Sequence, residues 1–174
     1  GRLAISPGAR VDHSSLPSQT NVSPWIQVNW TPASRVAVTL ATGVHHQLPD
    51  IEHVVGEVGG GTALQAERAA HADLGLTYAI DDRTKARVTF YDRQDHDVLR
   101  LRNSEVQRYS WGIFLPGYAP IRYVNVLEGY ARGVELELRS ERPNGLSGWV
   151  SYSLGYSKYR DVRRNETFPG DYDQ

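Results

Sequence analysis

One short segment of the sequence, HHQLPDIEH, carries the residue types best suited to bind a metal ion. It contains His45, His46 and His53 together with Asp50 and Glu52. Imidazole nitrogens and carboxylate oxygens are good ligands for transition metals, so the segment could capture a metal ion or a metal chelate. Its spacing matches no established ligand pattern, however, and the sequence around it indicates no ordered scaffold. We therefore favour a solvated polar loop and expect no bound metal and no cofactor.

A later segment is rich in aromatic side chains that could stack on a ligand such as a sugar or an aromatic chelate. These are Tyr109, Trp111, Phe114, Tyr118 and Tyr123, set among Gly117 and Pro120. The simpler interpretation is a long loop that packs its own small core. The segment nevertheless exceeds the length that a connection needs, so selectivity for a ligand is best sought here. The candidate ligand-contacting loop residues are thus His45, His46, Tyr109, Trp111 and Tyr118.

Nothing in the sequence indicates a catalytic site. No serine is placed by its spacing beside a histidine and an acid. The glycine run in EVGGGTAL lacks the strand-to-helix context of a phosphate-binding loop. The absence of cysteine excludes a disulfide framework and a thiolate metal site. We expect the protein not to be an enzyme.

Seven segments alternate between apolar and polar residues with the period of two that is typical of β-strands. One example is GVELELR, in which three aliphatic residues alternate with two glutamates and an arginine. No segment shows a convincing helical pattern. The pattern predicts an all-β antiparallel up-and-down meander with strands at residues 3–12, 25–31, 35–44, 70–80, 85–95, 125–139 and 148–160.

The connections between these strands alternate in length. TPAS, DDRT and SERPNG are tight turns, whereas HSSLPSQTNVSP, HHQLPDIEHVVGEVGGG and the region up to Val124 are longer. In a meander, connections of one parity lie at the same end of the sheet, so one end should carry short turns and the other long loops. Long strands with one apolar face and this asymmetry are typical of a transmembrane β-barrel. Trp30, Tyr78 and Trp149, near the short turns, would form an interfacial belt.

A soluble sandwich is the main alternative, because it also alternates apolar and polar residues. Such a fold would make the chain a secreted binding module, for example an adhesin or a lectin-like domain. Its strands are usually about five to six residues long, however, and its loops show no systematic asymmetry. We favour the barrel, and the apolar face of Val134, Leu136 and Leu138 distinguishes the two: it meets lipid in a barrel and a second sheet in a sandwich.

The overall composition sets further limits. The 174 residues carry a net charge of −1 and the sequence pI is near 6.7, so nothing in the charge balance indicates a nucleic-acid partner. No apolar run reaches the length of a membrane helix. The chain contains no Met and begins inside a strand-like pattern, so we expect it to be a piece of a longer protein.

Several segments, taken in order, resemble the C-terminal half of the barrel of TonB-dependent outer-membrane receptors. They are ISPGARVDH, VSPWIQVNWTP, LQAERAAHADLGLTYAI, RVTFYDRQDHDVL, NVLEGYARGVELELRS, LSGWVSYSLGYSKYRD and FPGDYDQ. The Arg132-Gly133-Val134-Glu135 pattern and the closing Asp-Gln are similar to motifs of that family. Trp25 is a departure, since the family often has Arg after Ser-Pro.

The resemblance implies a large outer-membrane barrel of about 22 strands, filled by an N-terminal plug, of which this chain would form about seven strands. It implies the bacterial outer membrane as location, and outer-membrane lipid, the receptor's own plug and the TonB system as partners. It also implies active uptake of a scarce small-molecule ligand, such as a siderophore, cobalamin or a saccharide. Neither a plug nor a TonB-contacting segment is recognisable in this sequence.

In such a barrel the charged residues of the strands would face the lumen. The candidate lumen-facing residues are Arg10, Asp12, Asp73, Arg87, Glu135, Glu137 and Arg139. We expect these residues to form ion pairs across strands, which would balance the charges on a water-facing wall. The alternatives are that they contact the plug or line a path for the substrate. Glu128 and Arg132 instead lie on the apolar face. Either Arg132 meets lipid phosphates in the outer leaflet, or a bulge at Gly133 shifts the register.

Overall fold

The computed structural model describes residues 1–16, 18–56, 63–102, 108–110, 113–115, 122–142 and 145–170. The secondary-structure elements in these residues are nearly all strands. In chain order they are β1 (Arg2–Ser15), β2 (Ser18–Ala33), β3 (Val36–Gln47), α1 (Ile51–Val55), β4 (Glu67–Ala79), β5 (Thr84–Arg102), β6 (Arg108–Ser110), β7 (Ile113–Leu115), β8 (Arg122–Ser140), β9 (Gly148–Asp161) and β10 (Glu166–Pro169).

One sheet of eight strands dominates the fold, in the order β1-β2-β3-β4-β5-β8-β9-β10, while β6 pairs with β7 in a separate hairpin. Every neighbouring pair is antiparallel. The predicted antiparallel meander is therefore confirmed. The structure adds one turn of helix, α1, which the sequence pattern did not predict. Among the described residues, no helix has the length and hydrophobicity needed to cross a membrane.

The connections fall at two ends of the sheet. The turn end carries the β2–β3, β4–β5 and β8–β9 connections, and the loop end carries the β1–β2, β3–β4, β5–β8 and β9–β10 connections. Two of the loop-end connections are short. The stretch HSSLPSQTNVSP, expected to be a loop, is a continuation of β1 and β2, which pair as far as Ser15 and Ser18. Both faces are polar at residues 13–15 and 18–21, so the alternation that marks a strand is lost there although the backbone pairing continues.

One face of the sheet is apolar in continuous rows that cross seven strands. The register places in one row Leu3, Trp30, Val38, Leu76, Val88, Leu136 and Tyr152, and in the next row Ile5, Val28, Leu40, Leu74, Phe90, Val134 and Leu154. Residues directly opposite in a ladder share a face. These side chains are well exposed, with 62% of Leu3 and 59% of Tyr152 accessible. We call this surface the outer face; it suits lipid rather than water.

The opposite surface, which we call the inner face, is mostly polar. Trp149 lies on it, because Trp149 pairs with Arg139 and adjacent residues of a strand point to opposite faces. The expectation that Trp149 joins an interfacial belt is therefore wrong. Trp30 and Tyr78 do lie on the outer face, near the turn end.

Tyr91 of the inner face lies over two glycines of neighbouring strands. A Cβ atom on Gly155 would overlap the Tyr91 hydroxyl, and one on Gly133 would lie 2.6 Å from it. The ladder runs without a shift through Gly133 on both sides, so the suggested bulge at this glycine is absent. Glycine is needed here because a side chain closely approaches the backbone.

Trp25 makes the same arrangement in β2. Its ring covers the position that a Cβ on Gly8 of β1 would take, and its own Cβ is 2.7 Å from a Cβ placed on Gly43 of β3. All three residues are opposite one another in the ladder. The indole thus fills the space that Gly8 leaves open on β1, while Gly43 makes room for the base of the Trp25 side chain on the other side.

Asp161 lies at the loop end of β9, beyond the apolar rows, and links β9 to β5 and to the turn that follows β9. Its carboxylate accepts hydrogen bonds from the guanidinium of Arg100 at 2.9 Å and from the backbone N–H groups of Arg163 at 2.9 Å and Arg164 at 3.0 Å. Burial alone would raise the pKa of this carboxyl. The amides of Arg164 and Arg163 and the charge of Arg100 outweigh burial and hold the pKa below its ordinary value.

We predict that Gly155→Ala lowers the free energy of unfolding of the intact protein by about 1 kcal/mol, because the new methyl group displaces Tyr91. The cost should disappear in a Tyr91→Phe background, since the next atom of Tyr91, Cζ, is 3.7 Å from the added Cβ. Denaturant titration followed by tryptophan fluorescence measures both values. Gly148→Ala, with no atom within 4 Å of the added Cβ, is the matched control. Equal costs in the two backgrounds would contradict this packing.

We also predict that Asp161→Asn loosens the turn at residues 162–165 at neutral pH. Because the native pKa is depressed, the stabilisation is complete above the ordinary pKa of about 3.9 and is lost as the pH falls below it. Hydrogen exchange of this turn should be at least about tenfold faster in the variant at pH 7, since hydrogen bonds to a charged group are removed. The difference should shrink below about pH 4, and Glu166→Gln should leave exchange unchanged. A difference that persists undiminished in acid would count against the ionic explanation.

Candidate functional site

A concave region of about 580 Å³ lies on the inner face at the loop end. Strands β1, β3, β4 and β5 supply its polar lining, which includes Arg10, Asp12, His45, His71, Arg93 and Asp95. The strand period explains the grouping, because side chains two residues apart share a face and the register brings the four strands together. The site therefore combines three arginines and three histidines with three carboxylates, since Arg68, His46 and Glu67 also line it.

His45 and His46 lie in β3 and not in a loop, which corrects the sequence prediction. The β3–β4 ladder continues to Gln47 and Glu67, so the connection begins only at Leu48. The polar run His45–Gln47 resembled a loop because it lacks apolar alternation.

Both histidines line the cavity, but their contacts differ. The His45 ring packs edge-on against the ring of His71, with ring centroids 5.1 Å apart. The backbone N–H of His46 instead donates to the Ser23 hydroxyl at 3.1 Å, and its carbonyl accepts from Arg10 at 3.0 Å. His46 thus connects β3 to β2 and β1 where the β2–β3 ladder ends. Sequence analysis missed His71, although its spacing of two from Asp73 placed it on the inner face.

The arginines of the cavity pair along their own strands. Arg10 contacts Asp12 at 2.7 Å, and Arg93 contacts Asp95 at 2.6 Å. Asp95 is also 3.4 Å from the hydroxyl of Tyr159. These pairs differ from the predicted pairs across strands. Each joins residues i and i+2 of one strand, which are neighbours on the same face. Each guanidinium keeps further N–H groups that can reach a ligand.

The remaining predicted inner-face ions lie closer to the turn end. Arg139 pairs with Glu141 at 2.7 Å. Among the described residues, no ion pair is formed by the other four, Asp73, Arg87, Glu135 and Glu137. Arg87 is directly opposite Glu137 in the ladder, yet its guanidinium lies over Gly75 of β4. The expected cross-strand pairs are therefore not formed here.

The β3–β4 connection is held over the loop end by hydrogen bonds from other strands. The Asn125 side chain of β8 accepts from the backbone N–H of Gln65 and donates to its carbonyl, both at 2.9 Å. Gln19 of β2 accepts from Ala66 at 3.2 Å, and Glu67 accepts from the N–H of Leu99 at 2.8 Å. The connection is thus fixed between β2 and β8 at the rim of the cavity.

A small core forms beneath the same connection. Its buried apolar residues are Val54, Leu64, Ala66, Val126 and Leu127. The ring of His53 in α1 packs on that of Tyr123, with centroids 4.2 Å apart. Two acidic residues lie near His53 in the sequence. Asp50 precedes α1, and Glu52 lies in its first turn. No group of three or more histidine, cysteine or acidic side chains in the described ranges is arranged to hold a metal ion.

The aromatic candidates of the long β5–β8 connection have different outcomes. Trp111 and Tyr118 lie outside the described residues. Tyr109 belongs to β6 and Phe114 to β7, where they pair in the backbone ladder. The question of ligand stacking by these residues therefore stays a prediction.

A comparison with protein families matches residues 1–173 to the family described as TonB-dependent receptor-like, β-barrel. A search of curated protein sequences finds no match. Among solved structures, the FrpB iron transporter of Neisseria meningitidis is 18% identical with a TM-score of 0.68, and the match covers 92% of this chain and 24% of that one. A mutant of the ferric enterobactin receptor PfeA of Pseudomonas aeruginosa is 20% identical with a TM-score of 0.66, covering 91% and 24%.

The outer-membrane transporter YddB of Escherichia coli is similar to the same extent, at 16% identity and a TM-score of 0.68, with coverage of 90% of this chain and 23% of that one. The chain thus spans about a quarter of the length of these structures. The structural matches agree with the meander, and the family match extends over nearly the whole chain. The chain belongs to the TonB-dependent receptor β-barrel family and forms part of a bacterial outer-membrane barrel.

Proposed function

We propose that this chain is part of a receptor that captures a scarce extracellular ligand and imports it actively with energy passed on by TonB. The observation that carries the proposal is the cavity of about 580 Å³ at the loop end of the inner face. Short turns face the periplasm and longer loops the exterior in barrels of this kind, so the cavity opens toward the medium. The family and the structural neighbours of the chain are receptors and transporters rather than enzymes.

The lining supports a ligand with anionic or other hydrogen-bond-accepting oxygen atoms. Arg10 and Arg93 offer guanidinium N–H groups, and the neighbouring imidazoles of His45 and His71 offer further donors. Ferric siderophores, cobalamin and saccharides all carry such oxygens. The printed names of structural neighbours include an iron transporter, a ferric enterobactin receptor and a copper transporter. We therefore place metal chelates first among the ligand classes to be tried.

The unpaired ions nearer the turn end support a second contact, with the plug of the same receptor. Glu135 and Glu137 are exposed and Asp73 has no ion pair in the described part of the chain. A charge enclosed inside a filled barrel needs a compensating charge. We propose that basic side chains of the plug supply it. The mechanism would then be capture at the loop end, followed by release when the plug moves.

The runner-up, a secreted sandwich, requires a second layer over the outer face. Leu3, Leu136 and Tyr152 remain exposed there, and no second sheet covers them within the described ranges. The family match over residues 1–173 supports the barrel, in which that face would meet lipid.

For the cavity, we predict that His71→Gln combined with Arg93→Gln weakens ligand binding by the full-length receptor about tenfold or more, since charge-assisted hydrogen bonds are lost. The probes are ferric enterobactin, cupric ion and cyanocobalamin, each radiolabelled and measured by equilibrium binding. Thr89→Val, on the inner face outside the cavity, should bind as the wild type does. The proposal would be refuted by a double variant with unchanged affinity. Binding of no probe, together with unchanged growth of a deletion strain on iron- or copper-limited medium, would refute it equally.

For the plug contact, we predict that Glu135→Gln combined with Glu137→Gln lowers the free energy of plug unfolding by about 2 kcal/mol while barrel unfolding is unaffected. Hydrogen exchange of the full-length receptor resolves the two parts. Asp82→Asn, an exposed carboxylate of a short turn, is the matched control. If exchange in the plug is unchanged, these carboxylates have another partner.

A further inference from the structure

Two imidazoles in the loop-end cavity have the separation expected of two ligands that share one metal ion. His45 of β3 is opposite Ala69 of β4, and His71 of β4 is opposite Gly43 of β3. Because each histidine is opposite a small residue, the two rings can approach one another, and their centroids are 5.1 Å apart. Two imidazoles bound to one octahedral or tetrahedral metal ion through nitrogens at about 2.0–2.1 Å have centroids about 4.5–5.3 Å apart.

Both rings are available to a ligand. His45 is exposed and His71 is half-buried, and both line the cavity. In the described part of the chain neither ring makes a hydrogen bond, since the bond from Thr42 to His71 ends on the backbone carbonyl. A neutral imidazole with a free nitrogen can donate its lone pair to a metal ion. The two rings thus offer two nitrogen ligands.

Two imidazoles are too few to retain a free metal ion. His46 also lines the cavity, but its ring contacts the Ser23 hydroxyl at 3.3 Å. No group of three or more histidine, cysteine or acidic side chains in the described ranges is arranged to hold a metal ion. Structural metal sites usually need four protein ligands. A metal ion that binds here must therefore bring further ligands of its own.

The charged groups beside the two rings favour an anionic chelator as the source of those ligands. Arg93 is directly opposite His71 in the ladder. Its side chain is 49% exposed, whereas that of its ion-pair partner Asp95 is 4% exposed. Arg10 is likewise more exposed than its partner Asp12. The wall thus presents guanidinium groups more than carboxylates, which opposes a bare cation but suits the carboxylates of a chelator.

We propose that the cavity binds anionic metal chelates in which two neighbouring positions of the metal carry only water, and that His45 and His71 fill these positions. Two water molecules leave the metal as one nitrogen of each neutral imidazole binds to it, and no electron is transferred. Arg10 and Arg93 hold the carboxylates of the chelator. Nickel, copper and zinc are the metals that suit imidazole. A chelator that already fills every position of its metal gains nothing from the histidines. The inference rests on the proposed function, because it names the ligand class of the same cavity.

The test compares two nickel chelates on the full-length receptor, prepared in detergent without a polyhistidine tag, by isothermal titration calorimetry. Nitrilotriacetate leaves two neighbouring positions of nickel to water and gives a complex with one negative charge. EDTA fills the remaining positions and gives a complex with two. Charge alone would favour the EDTA complex. We expect the nitrilotriacetate complex to bind at least about tenfold more tightly, since even groups that merely support a metal ligand change metal affinity by that factor. X-ray absorption at the nickel edge should show scattering from two imidazoles in the bound complex.

A variant of both histidines separates coordination from hydrogen bonding. His45→Gln combined with His71→Gln should weaken binding of the nitrilotriacetate complex at least about tenfold and leave that of the EDTA complex unchanged. The reason is that glutamine still donates a hydrogen bond but lacks the imidazole nitrogen. His96→Gln removes an imidazole that does not line the cavity, and this control should bind both complexes as the wild type does.

Three outcomes would overturn the inference while leaving the proposed function in place. Equal or tighter binding of the EDTA complex by the wild type would do so without any variant. A nickel spectrum without imidazole scattering would show that the histidines do not bind the metal. An equal loss of both complexes in the double variant would leave the imidazoles as hydrogen-bond donors alone. Binding of neither nickel complex would also overturn the inference if ferric enterobactin binds and loses affinity in Arg93→Gln. Binding of no probe at all would instead count against the proposed function itself.

Discussion

The continuous pairing of backbone N–H and C=O groups between neighbouring strands is the constraint on which the rest of this protein depends. Hydrocarbon offers no water to satisfy these groups, so each strand must be hydrogen-bonded to its neighbours through the whole thickness of the hydrocarbon. The ladders here run unbroken through the apolar rows, and the register shifts of the β5–β8 pair occur only beyond them, near Asp95 and Val98. Once the register is fixed, it decides which side chains meet lipid and which face inward.

The inner face is shaped by this regular backbone as much as by its side chains. Tyr91 and Trp25 each lie flat across a row because the neighbouring strands provide glycine. The ladder keeps the strands about 5 Å apart, so a large ring can reach over two of them only where no Cβ intervenes. The charged residues predicted for this face either pair with a residue two positions away in the sequence or have no ion pair in the described part of the chain. That arrangement leaves them available to a domain or a ligand inside the barrel.

Beyond the membrane the physical situation changes, since both faces of a strand then meet water or other protein segments. The strands continue there, and side-chain hydrogen bonds replace hydrophobic contacts as the means of attachment. Asn125 holds the β3–β4 connection, and Asp161 joins β5, β9 and the following turn. The cavity with His45 and His71 lies within this framework. Its walls are thus rigid strand extensions rather than free loops.

The sequence alone determined the fold class and the two faces, because the period of two is a local property that can be counted along the chain. It also indicated the family, through segments whose order matched. The ends of β2, β5 and β8 were not predictable in the same way, since alternation disappears where both faces are polar. Trp149 shows that the pattern was sufficient but misapplied, because its face follows from that of Val150. Only the tertiary structure brought His71 beside His45 and Arg100 to Asp161, which is 61 residues away. Such contacts depend on register between strands, and register is set by the whole sheet rather than by any single segment.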